Sequence, residues 1–350
     1  MKNMNSDMET AAPKKKSVLF FAKLHDKSIL ERNEFYAVDI QILRELGWHV
    51  ICATEIKEIV AADLYFVWWW TWCTFPLVRA KLAGSPIITV GVFDHITANN
   101  ELEAFYKRNV LHRWLIRKSL KYSDANVFCS KLELEFVSRR FDVKYPQFAH
   151  CAVDIESYKP GGTSRESFIL SFCWMNAFNP IRKCVRQSIK AFSRIREQYP
   201  DYRFLIAGEK LEGYPPLQEY VHSLGIDKYV SFIGVVSRAE KIRLMQTCAV
   251  YLQPTMVEGF GLAIAEAMAC SAPVITSPVG TVPEVVGDAA IMVIGIEESQ
   301  IAAALLRLLK DQSLREEFGE RGRQRIVERF KFAQRKEKIA LVIENTFNES

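Results

Sequence analysis

The feature that most constrains the fold is a repeated alternation of short β-branched or aromatic runs with longer amphipathic stretches. The alternation covers residues 17–150, pauses at a polar stretch and resumes over residues 168–329. Strands separated by helical patterns predict parallel βαβ units. Two such series predict an α/β protein with two doubly wound, Rossmann-like domains that face a cleft. Open parallel sheets bind ligands at the carboxyl ends of their strands, so function is expected in the loops after the strands.

The same patterns predict where the parts of the chain begin and end. Strands are predicted at 17–22, 49–53, 63–69, 86–92, 125–129, 147–150, 168–173, 203–207, 230–233, 249–253, 273–276 and 290–293. Helices are predicted at 34–46, 102–121, 131–139, 183–197, 215–224, 237–247, 260–270, 297–309 and 312–329. The predicted divisions are a disordered tail (1–16), an N-terminal domain (17–157), a polar linker (158–167), a C-terminal domain (168–330) and a last segment (331–350).

Composition narrows the class of protein. Apolar residues make up 49% and charged residues 25% of the 350 residues, which is typical of a soluble globular protein. The net charge of +5 is too small to indicate nucleic-acid binding. Eight cysteines are scattered singly in mostly apolar segments, which favours reduced thiols and the cytosol over disulfides or a zinc site.

Two segments bear on targeting and membrane insertion. The first sixteen residues have no apolar core, so they do not predict a signal peptide. The run "LYFVWWWTWCTFPLV" (64–78) is shorter than the roughly 20 residues of a spanning helix. It predicts a buried strand followed by an aromatic turn.

The stretch "VEGFGLAIAEAMACSAPVIT" (257–276) is the principal candidate site. Gly259 and Gly261 could begin a dinucleotide-binding fingerprint, but the third small residue of that fingerprint is replaced by Ile264. The loop also follows the fourth strand of its domain, whereas the fingerprint belongs after the first. Both observations argue against a dehydrogenase.

The physical chemistry of this loop suits a sugar nucleotide. Backbone amides at Phe260, Gly261 and Leu262 are predicted at a helix N-terminus, which is a ready site for a diphosphate. Glu258 precedes the helix and Glu266 lies about two turns further on, so their carboxylates can accept hydrogen bonds from hydroxyls at the two ends of the ligand. The structural alternative is two solvated glutamates at a helix end.

The segment "EGFGLAIAEAMACSAPVITSPVGTVPEVVGDAAIMV" resembles the donor-binding core of family 4 of the retaining glycosyltransferases (glycosyl transferases group 1), which have the GT-B fold. The resemblance rests on the E-x(7)-E spacing, on "EAMA" and on "PVITSPVG…PEVV", and covers about residues 125–332 well. It implies GT-B architecture, with residues 331–350 as a C-terminal helix that packs back on the N-terminal domain.

The resemblance also implies roles for individual residues. Glu258 is expected to contact the donor sugar and Glu266 to hold the nucleotide ribose, while the backbone of Phe260, Gly261 and Leu262 meets the diphosphate. The residues expected near the base or at the border of the cleft are Ile233, Gly234, Ser237, Gly208 and Glu209. Ser237 can equally be a helix N-cap, and the two interpretations are compatible.

The expected clamp on the diphosphate departs from the family pattern. The family usually has an arginine followed six positions later by a lysine, but Ala177 stands at the arginine position and Lys183 at the lysine position. Such a preorganised donor is worth about 3 kcal/mol. Arg182, next to the lysine, can compensate by turning inward or can face solvent; both alternatives remain open at this stage.

The N-terminal domain is expected to bind the acceptor. The resemblance implies a catalytic histidine after the fourth strand of this domain, where "VGVFDHITANN" supplies Asp94 and His95, and His25 is a weaker candidate. The basic helix 107–121, with Trp114, Leu115 and Leu120 interleaved, can lie on an anionic membrane surface or simply present a solvated basic face.

The resemblance implies an enzyme that moves a sugar from a UDP- or GDP-sugar to a glycan or lipid-linked acceptor with retention of configuration. The expected location is the cytoplasm, with peripheral contact at the inner membrane face as an alternative. No D-x-D motif occurs in the chain, so neither a metal nor another cofactor is expected. Two alternatives remain: a catalytically silent relative that binds a sugar nucleotide or a partner enzyme, and a nucleotide-sugar epimerase of the same fold.

Overall fold

The N-terminal domain is built on one parallel sheet. A computed structural model describes residues 16–93, 103–162, 164–294 and 296–348. The strands are β1 (Ser17–Phe21), β2 (His49–Ala53), β3 (Leu64–Trp68), β4 (Ile87–Gly91), β5 (Ala125–Phe128) and β6 (Pro146–Phe148), in the order β2-β1-β3-β4-β5-β6. Strands β3 and β4 are buried at every position, because helices cover both faces of a parallel sheet.

The helices of this domain are α1 (Ile29–Arg32), α2 (Glu34–Glu45), α3 (Thr74–Ala83), α4 (Glu103–Lys107), α5 (Val110–Tyr122) and α6 (Lys131–Ser138). The helix predicted over residues 102–121 is two helices, because the side chain of Asn109 accepts a hydrogen bond from the amide of His112 at 2.8 Å and thereby caps a new helix.

The C-terminal domain repeats the architecture. Its strands are β7 (Glu166–Phe172), β8 (Arg203–Ala207), β9 (Val230–Gly234), β10 (Cys248–Gln253), β11 (Val274–Thr276) and β12 (Ile291–Met292). Their order, β12-β11-β10-β7-β8-β9, is that of a Rossmann sheet. Strand β7 begins at Glu166, so the predicted linker, 158–167, overlaps it by two residues.

The helices of the C-terminal domain are α7 (Asn179–Arg182), α8 (Val185–Ile195), α9 (Tyr214–Ser223), α10 (Arg238–Thr247), α11 (Leu262–Ala269), α12 (Val282–Val286), α13 (Glu298–Lys310) and α14 (Gln312–Arg329). The helix predicted at 183–197 begins at Val185, because Cys184 adopts a left-handed conformation (φ 48°) that separates α7 from α8. The predicted fold class of two doubly wound domains is confirmed.

The last helix, α15 (Phe332–Asn348), crosses to the N-terminal domain. Arg335 of this helix is buried and forms a two-pronged ion pair with Asp39 of α2, at 2.6 and 2.8 Å. The indole N–H of Trp68 donates to the same carboxylate at 3.0 Å. A buried charge needs such a partner, so this pair fixes where α15 lies.

None of the helices described here has the length and apolar character needed to cross a membrane. The apolar run 64–78 divides into the buried strand β3, an aromatic turn and the first part of α3.

Candidate functional site

The candidate site lies where the strand order of the C-terminal sheet reverses. Strands β7 and β10 are neighbours, and the chain continues from them towards opposite edges of the sheet. The loops that follow these two strands therefore open a crevice at their carboxyl ends, which is where open α/β sheets bind ligands. The loop after β7 leads to Arg182 and Lys183, and the loop after β10 contains Glu258.

The backbone of the loop after β10 lines the crevice. Gly261 has φ 83° and ψ 43°, and α11 begins at the next residue with no side chain capping its first turn. A left-handed residue of this kind is accessible to glycine without strain, and it leaves the first amides of the helix open to an anion. Gly259 is where the two domains touch: a Cβ there would lie 2.5 Å from Val92 Cγ1.

Arg182 turns towards Glu258 rather than into solvent. Its Nη1 donates to Glu258 Oε2 at 3.2 Å and to the carbonyl of Val257 at 2.6 Å. Both side chains are mostly buried, at 18% and 14% exposure. The position expected to hold an arginine, Ala177, is exposed, so the guanidinium that reaches this site comes from the residue beside the lysine.

Lys183 brings a second cation to the same place. Its Nζ donates to the carbonyl of Phe172 at 2.9 Å and to Oε1 of Gln253 at 3.4 Å, both of them neutral acceptors. Burial lowers the pKa of this ammonium, although the nearby Glu258 carboxylate acts in the opposite direction. The Nε2 group of Gln253 donates to Glu258 Oε2 at 3.2 Å, so the two charged groups share one amide.

Glu266 is buried on the flank of α11, with its side chain 2% exposed. Its described counter-charge is Lys241 of α10, whose Nζ lies 2.7 Å from Oε2. Burial raises the pKa of the Glu266 carboxyl, and the ion pair with Lys241 opposes that shift. Neither oxygen of this carboxylate meets hydrogen-bond geometry with a donor among the described residues, and Oε1 also lacks the ion pair, so it is a buried acceptor in need of a donor.

The two domains are joined directly beside Glu266. Arg238 of α10 donates to Glu34 of α2 at 2.7 Å and to Asp154 at 2.8 Å. The hydroxyl of Tyr158 donates to the same Glu34 carboxylate at 3.0 Å. Burial raises the pKa of Tyr158, with the carboxylates of Glu266 and Glu34 adding to the shift.

Two adjoining cavities occupy the cleft. The larger, about 690 Å³, runs between the domains, and the predicted residues that line it are Arg182, Lys183, Gly208, Ser237, Glu258, Gly261, Leu262 and Glu266. The smaller, about 460 Å³, includes Phe260, Gly259 and a wall from the N-terminal domain. Gly208 has φ 144°, and a Cβ there would overlap the carbonyl of Cys173, so this position needs glycine.

Several predicted residues lie elsewhere. Glu209, in the loop after β8, and Ile233 and Gly234, at the end of β9, do not line either cavity. Ser237 also caps α10, since its Oγ accepts from the amide of Glu240 at 3.2 Å. His25 is exposed and lines neither cavity. Asp94 and His95 lie outside the described residues.

The residues that line the cavities include several that were absent from the sequence-based site, and four of them bear on its chemistry. Gln253 and Lys241 contact the two glutamates, and Glu34 and Trp69 come from the N-terminal domain. Gln253 could have been identified from the sequence, because it is a polar residue at the end of a buried strand. The other three depend on contacts between elements far apart in the sequence. Within the described part of the chain, no cluster of three or more His, Cys, Asp or Glu residues is arranged to hold a metal ion.

Comparison with known proteins agrees with this geometry. Residues 175–325 match the family described as "Glycosyl transferases group 1". The chain is 31% identical over 167 residues to the N-acetyl-alpha-D-glucosaminyl L-malate synthase of Bacillus anthracis, a match that covers 47% of this chain and 42% of that protein. It is also 31% identical over 136 residues to the O-antigen chain mannosyltransferase B of Escherichia coli, covering 39% and 36%. The matches thus span less than half the length of these relatives.

Solved structures extend the fold similarity to nearly the whole chain. Anabaena HepE in complex with UDP-glucose superposes with a TM-score of 0.77 at 14% identity, covering 94% of this chain and all (100%) of that one. The sucrose-phosphate synthase of Thermosynechococcus elongatus superposes with a TM-score of 0.76 at 14% identity, covering 96% and 100%. The sequence match over residues 175–325 therefore identifies the C-terminal domain as a glycosyl transferases group 1 domain, and the architecture of the chain is that of the two-domain GT-B fold.

Proposed function

We propose that the protein transfers a sugar from a nucleotide-diphosphate sugar to a hydroxyl acceptor with retention of configuration. The observation that carries the proposal is the convergence of Arg182, Lys183 and the open N-terminus of α11 on one crevice, beside Glu258. Three sources of positive potential at one point suit a diphosphate leaving group.

The residues take distinct parts in this reaction. Lys183, Arg182 and the amides of Gly261 and Leu262 stabilise the negative charge that develops as the bond between the anomeric carbon and the phosphate oxygen breaks. The acceptor oxygen forms the new bond on the same face, and its proton passes to the departing diphosphate. Glu258 orients the donor sugar by accepting from its hydroxyls, which requires the Arg182 guanidinium to move from Glu258 to the diphosphate. Orientation and charge stabilisation then supply the catalysis.

The unpartnered oxygen of Glu266 supports a ribose site. A ribose hydroxyl can donate to Oε1 while Lys241 keeps Oε2 neutralised. The base then lies near Ser237 and the end of β9 at Ile233 and Gly234, and the donor is a UDP- or GDP-sugar. Because protein cations serve the diphosphate, we propose that no metal is needed and that turnover persists in a chelator.

The acceptor is proposed to be a glycan or a lipid-linked glycan, delivered at the inner membrane face. Exposed apolar side chains lie on the adjacent helices α3 and α5: Phe75, Val78, Leu82, Val110, Leu111 and Trp114. We call this the α3–α5 surface. No acidic residue occurs in either helix, whereas Arg79, Arg113 and Lys118 are among their cations. Apolar and cationic groups together suit an anionic lipid surface.

The rival proposals are a silent sugar-nucleotide binder and an epimerase. The lack of an arginine at position 177 favours the silent form, and the position of Arg182 in the crevice weakens it. An epimerase acts on the donor without an acceptor, so a product assay with donor alone separates it from a transferase.

The test begins with a thermal-shift panel of UDP- and GDP-sugars, followed by transfer assays with the donor that stabilises the protein. Glu258→Gln and Lys183→Ala should abolish transfer while each protein still folds and unfolds cooperatively without donor. Glu219→Gln and Lys228→Ala, at exposed positions, should behave as wild type. Wild-type rates in the first pair would overturn the assignment, and donor binding without turnover in the wild type would favour the silent form.

A further inference from the structure

The smaller cavity has an aromatic wall on its N-terminal side. The residues that line it from this domain are Phe35, Trp68, Trp69, Val92 and Cys151. The opposite wall, from the C-terminal domain, includes Arg182 and Glu258. A group bound against the aromatic wall therefore lies next to the carboxylate assigned to the donor sugar, which is where an acceptor must be.

Trp69 is held in an unusual conformation. Its φ is 76°, in the left-handed region that a tryptophan rarely adopts, and its amide donates to the carbonyl of Val90 at 2.9 Å. The indole N–H donates to the hydroxyl of Tyr36 at 2.6 Å, and the ring of Phe35 packs edge-on at 6.0 Å between centroids. Strained backbone persists where surrounding contacts fix it, and it is concentrated at binding sites.

These contacts determine what Trp69 can offer a ligand. Its nitrogen is already bonded to Tyr36, so the part of the ring that lines the cavity presents carbon surface rather than a hydrogen-bond donor. An aromatic face is electron-rich and attracts the slightly positive C–H groups of a sugar ring. A negatively charged group at this place would face the Glu258 carboxylate. Arg182, the cation among the residues that line this cavity, pairs with that carboxylate in this structure and is assigned to the diphosphate during the reaction.

We propose that Trp69 is a stacking platform for an uncharged pyranose ring of the acceptor, and that this site discriminates against acceptors with a phosphate or carboxylate on that ring. The inference rests on the proposed function, because it assigns the second substrate of the same reaction. It adds a specificity-determining residue and an acceptor class that the family match leaves open.

The experiment compares wild type, Trp69→Leu and Tyr36→Phe, with Trp48→Leu as a matched control outside both cavities. Methyl α- and β-pyranosides of mannose, glucose and N-acetylglucosamine are offered as acceptors, against the 6-phosphates of the same sugars. Nucleotide release at saturating donor gives kcat and KM for each acceptor. Saturation-transfer NMR with the methyl pyranosides measures contact without turnover.

Neutral pyranosides should accelerate nucleotide release in the wild type, and the 6-phosphates should not. Trp69→Leu should raise the pyranoside KM about tenfold or more, with donor-induced thermal shift and nucleotide release in the absence of acceptor unchanged. Tyr36→Phe should have a smaller effect in the same direction, because the ring remains. Saturation-transfer signals from the sugar C–H protons should disappear in Trp69→Leu and persist in Trp48→Leu.

The inference would be overturned if the pyranoside KM of Trp69→Leu equalled that of the wild type. It would also be overturned if the wild type turned over the 6-phosphates faster than the neutral pyranosides. If the wild type binds none of the nucleotide sugars, the proposed function is overturned instead. Sugar C–H signals that depend on Trp69 would then still support a pyranose site at this wall.

Discussion

At the scale of single residues, Lys183 is a buried ammonium with neutral hydrogen-bond partners. Its Nζ contacts the carbonyl of Phe172 and the amide oxygen of Gln253, and burial lowers its pKa. A diphosphate would provide the full counter-charge that these contacts lack. Donor binding should therefore depend on the protonation of this one side chain.

The prediction concerns donor affinity at alkaline pH. Because the pKa is lowered, Lys183 loses its charge at a lower pH than an ordinary lysine, whose pKa is about 10.4. Donor affinity should be constant at pH values well below the lowered pKa and then fall by up to about tenfold per pH unit as pH rises through it. Calorimetric titration across this range measures it. Lys183→Arg keeps its charge, so its affinity should stay flat; an identical decline in both proteins would contradict the assignment.

At the scale of elements, α3 and α5 form one outward surface. The hydroxyl of Thr74, at the start of α3, lies 3.3 Å from that of Ser119 in α5, so the two helices are packed side by side. Leu115 and Leu120 face the core, whereas Trp114 is 50% exposed. Of the three apolar residues interleaved in the basic helix, only Trp114 is therefore available to a lipid surface.

The α3–α5 surface is predicted to bind vesicles that contain both phosphatidylglycerol and phosphatidylcholine. It should bind vesicles of phosphatidylcholine alone much more weakly. Replacing Val110, Leu111 and Trp114 together by serine should reduce binding about tenfold or more, since each buried apolar side chain contributes about 1.5–3 kcal/mol. Co-sedimentation measures the bound fraction. The matched control replaces Ile294 and Leu341, exposed apolar residues elsewhere. Equal binding by both variants, or binding insensitive to salt, would contradict the prediction.

At the scale of the whole molecule, a buried ion pair and hydrogen bonds connect the two domains. Arg335 in the last helix pairs with Asp39 in the N-terminal domain, and both are buried. Glu284 of α12 accepts from the side chain of Ser130 and the amide of Leu132, at 2.7 Å each, at the start of α6. Such contacts make the position of one domain depend on the other, and the cleft between them depends on both.

Breaking the buried pair should destabilise the protein. Arg335→Met leaves the Asp39 carboxylate buried without its counter-charge, which costs about 3–5 kcal/mol of the free energy of unfolding. Adding Asp39→Asn should recover part of the loss, because the uncompensated charge is removed. Urea denaturation followed by tryptophan fluorescence measures both. If Arg335→Met has the same free energy of unfolding as the wild type, the position of α15 does not depend on this ion pair.

The sequence by itself determined the elements and the central motif. Strand and helix periodicity predicted the two sheets, because the alternation of buried positions is a local property. Gly259, Gly261, Glu258 and Glu266 were identifiable because they lie on one loop and one helix, where spacing fixes geometry. Helix boundaries were less accurate, since Asn109 and Cys184 interrupt helices through their own side-chain or backbone conformations.

Only the tertiary structure decided what meets across the cleft. Strand order placed the loops of β7 and β10 together, and Arg182 turned inward because Glu258 and the Val257 carbonyl lie within its reach. Lys241 beside Glu266 and Trp69 in the smaller cavity likewise depend on chain segments far apart in sequence. Periodicity reports which side of an element is buried, but it contains no information on which distant element covers that side.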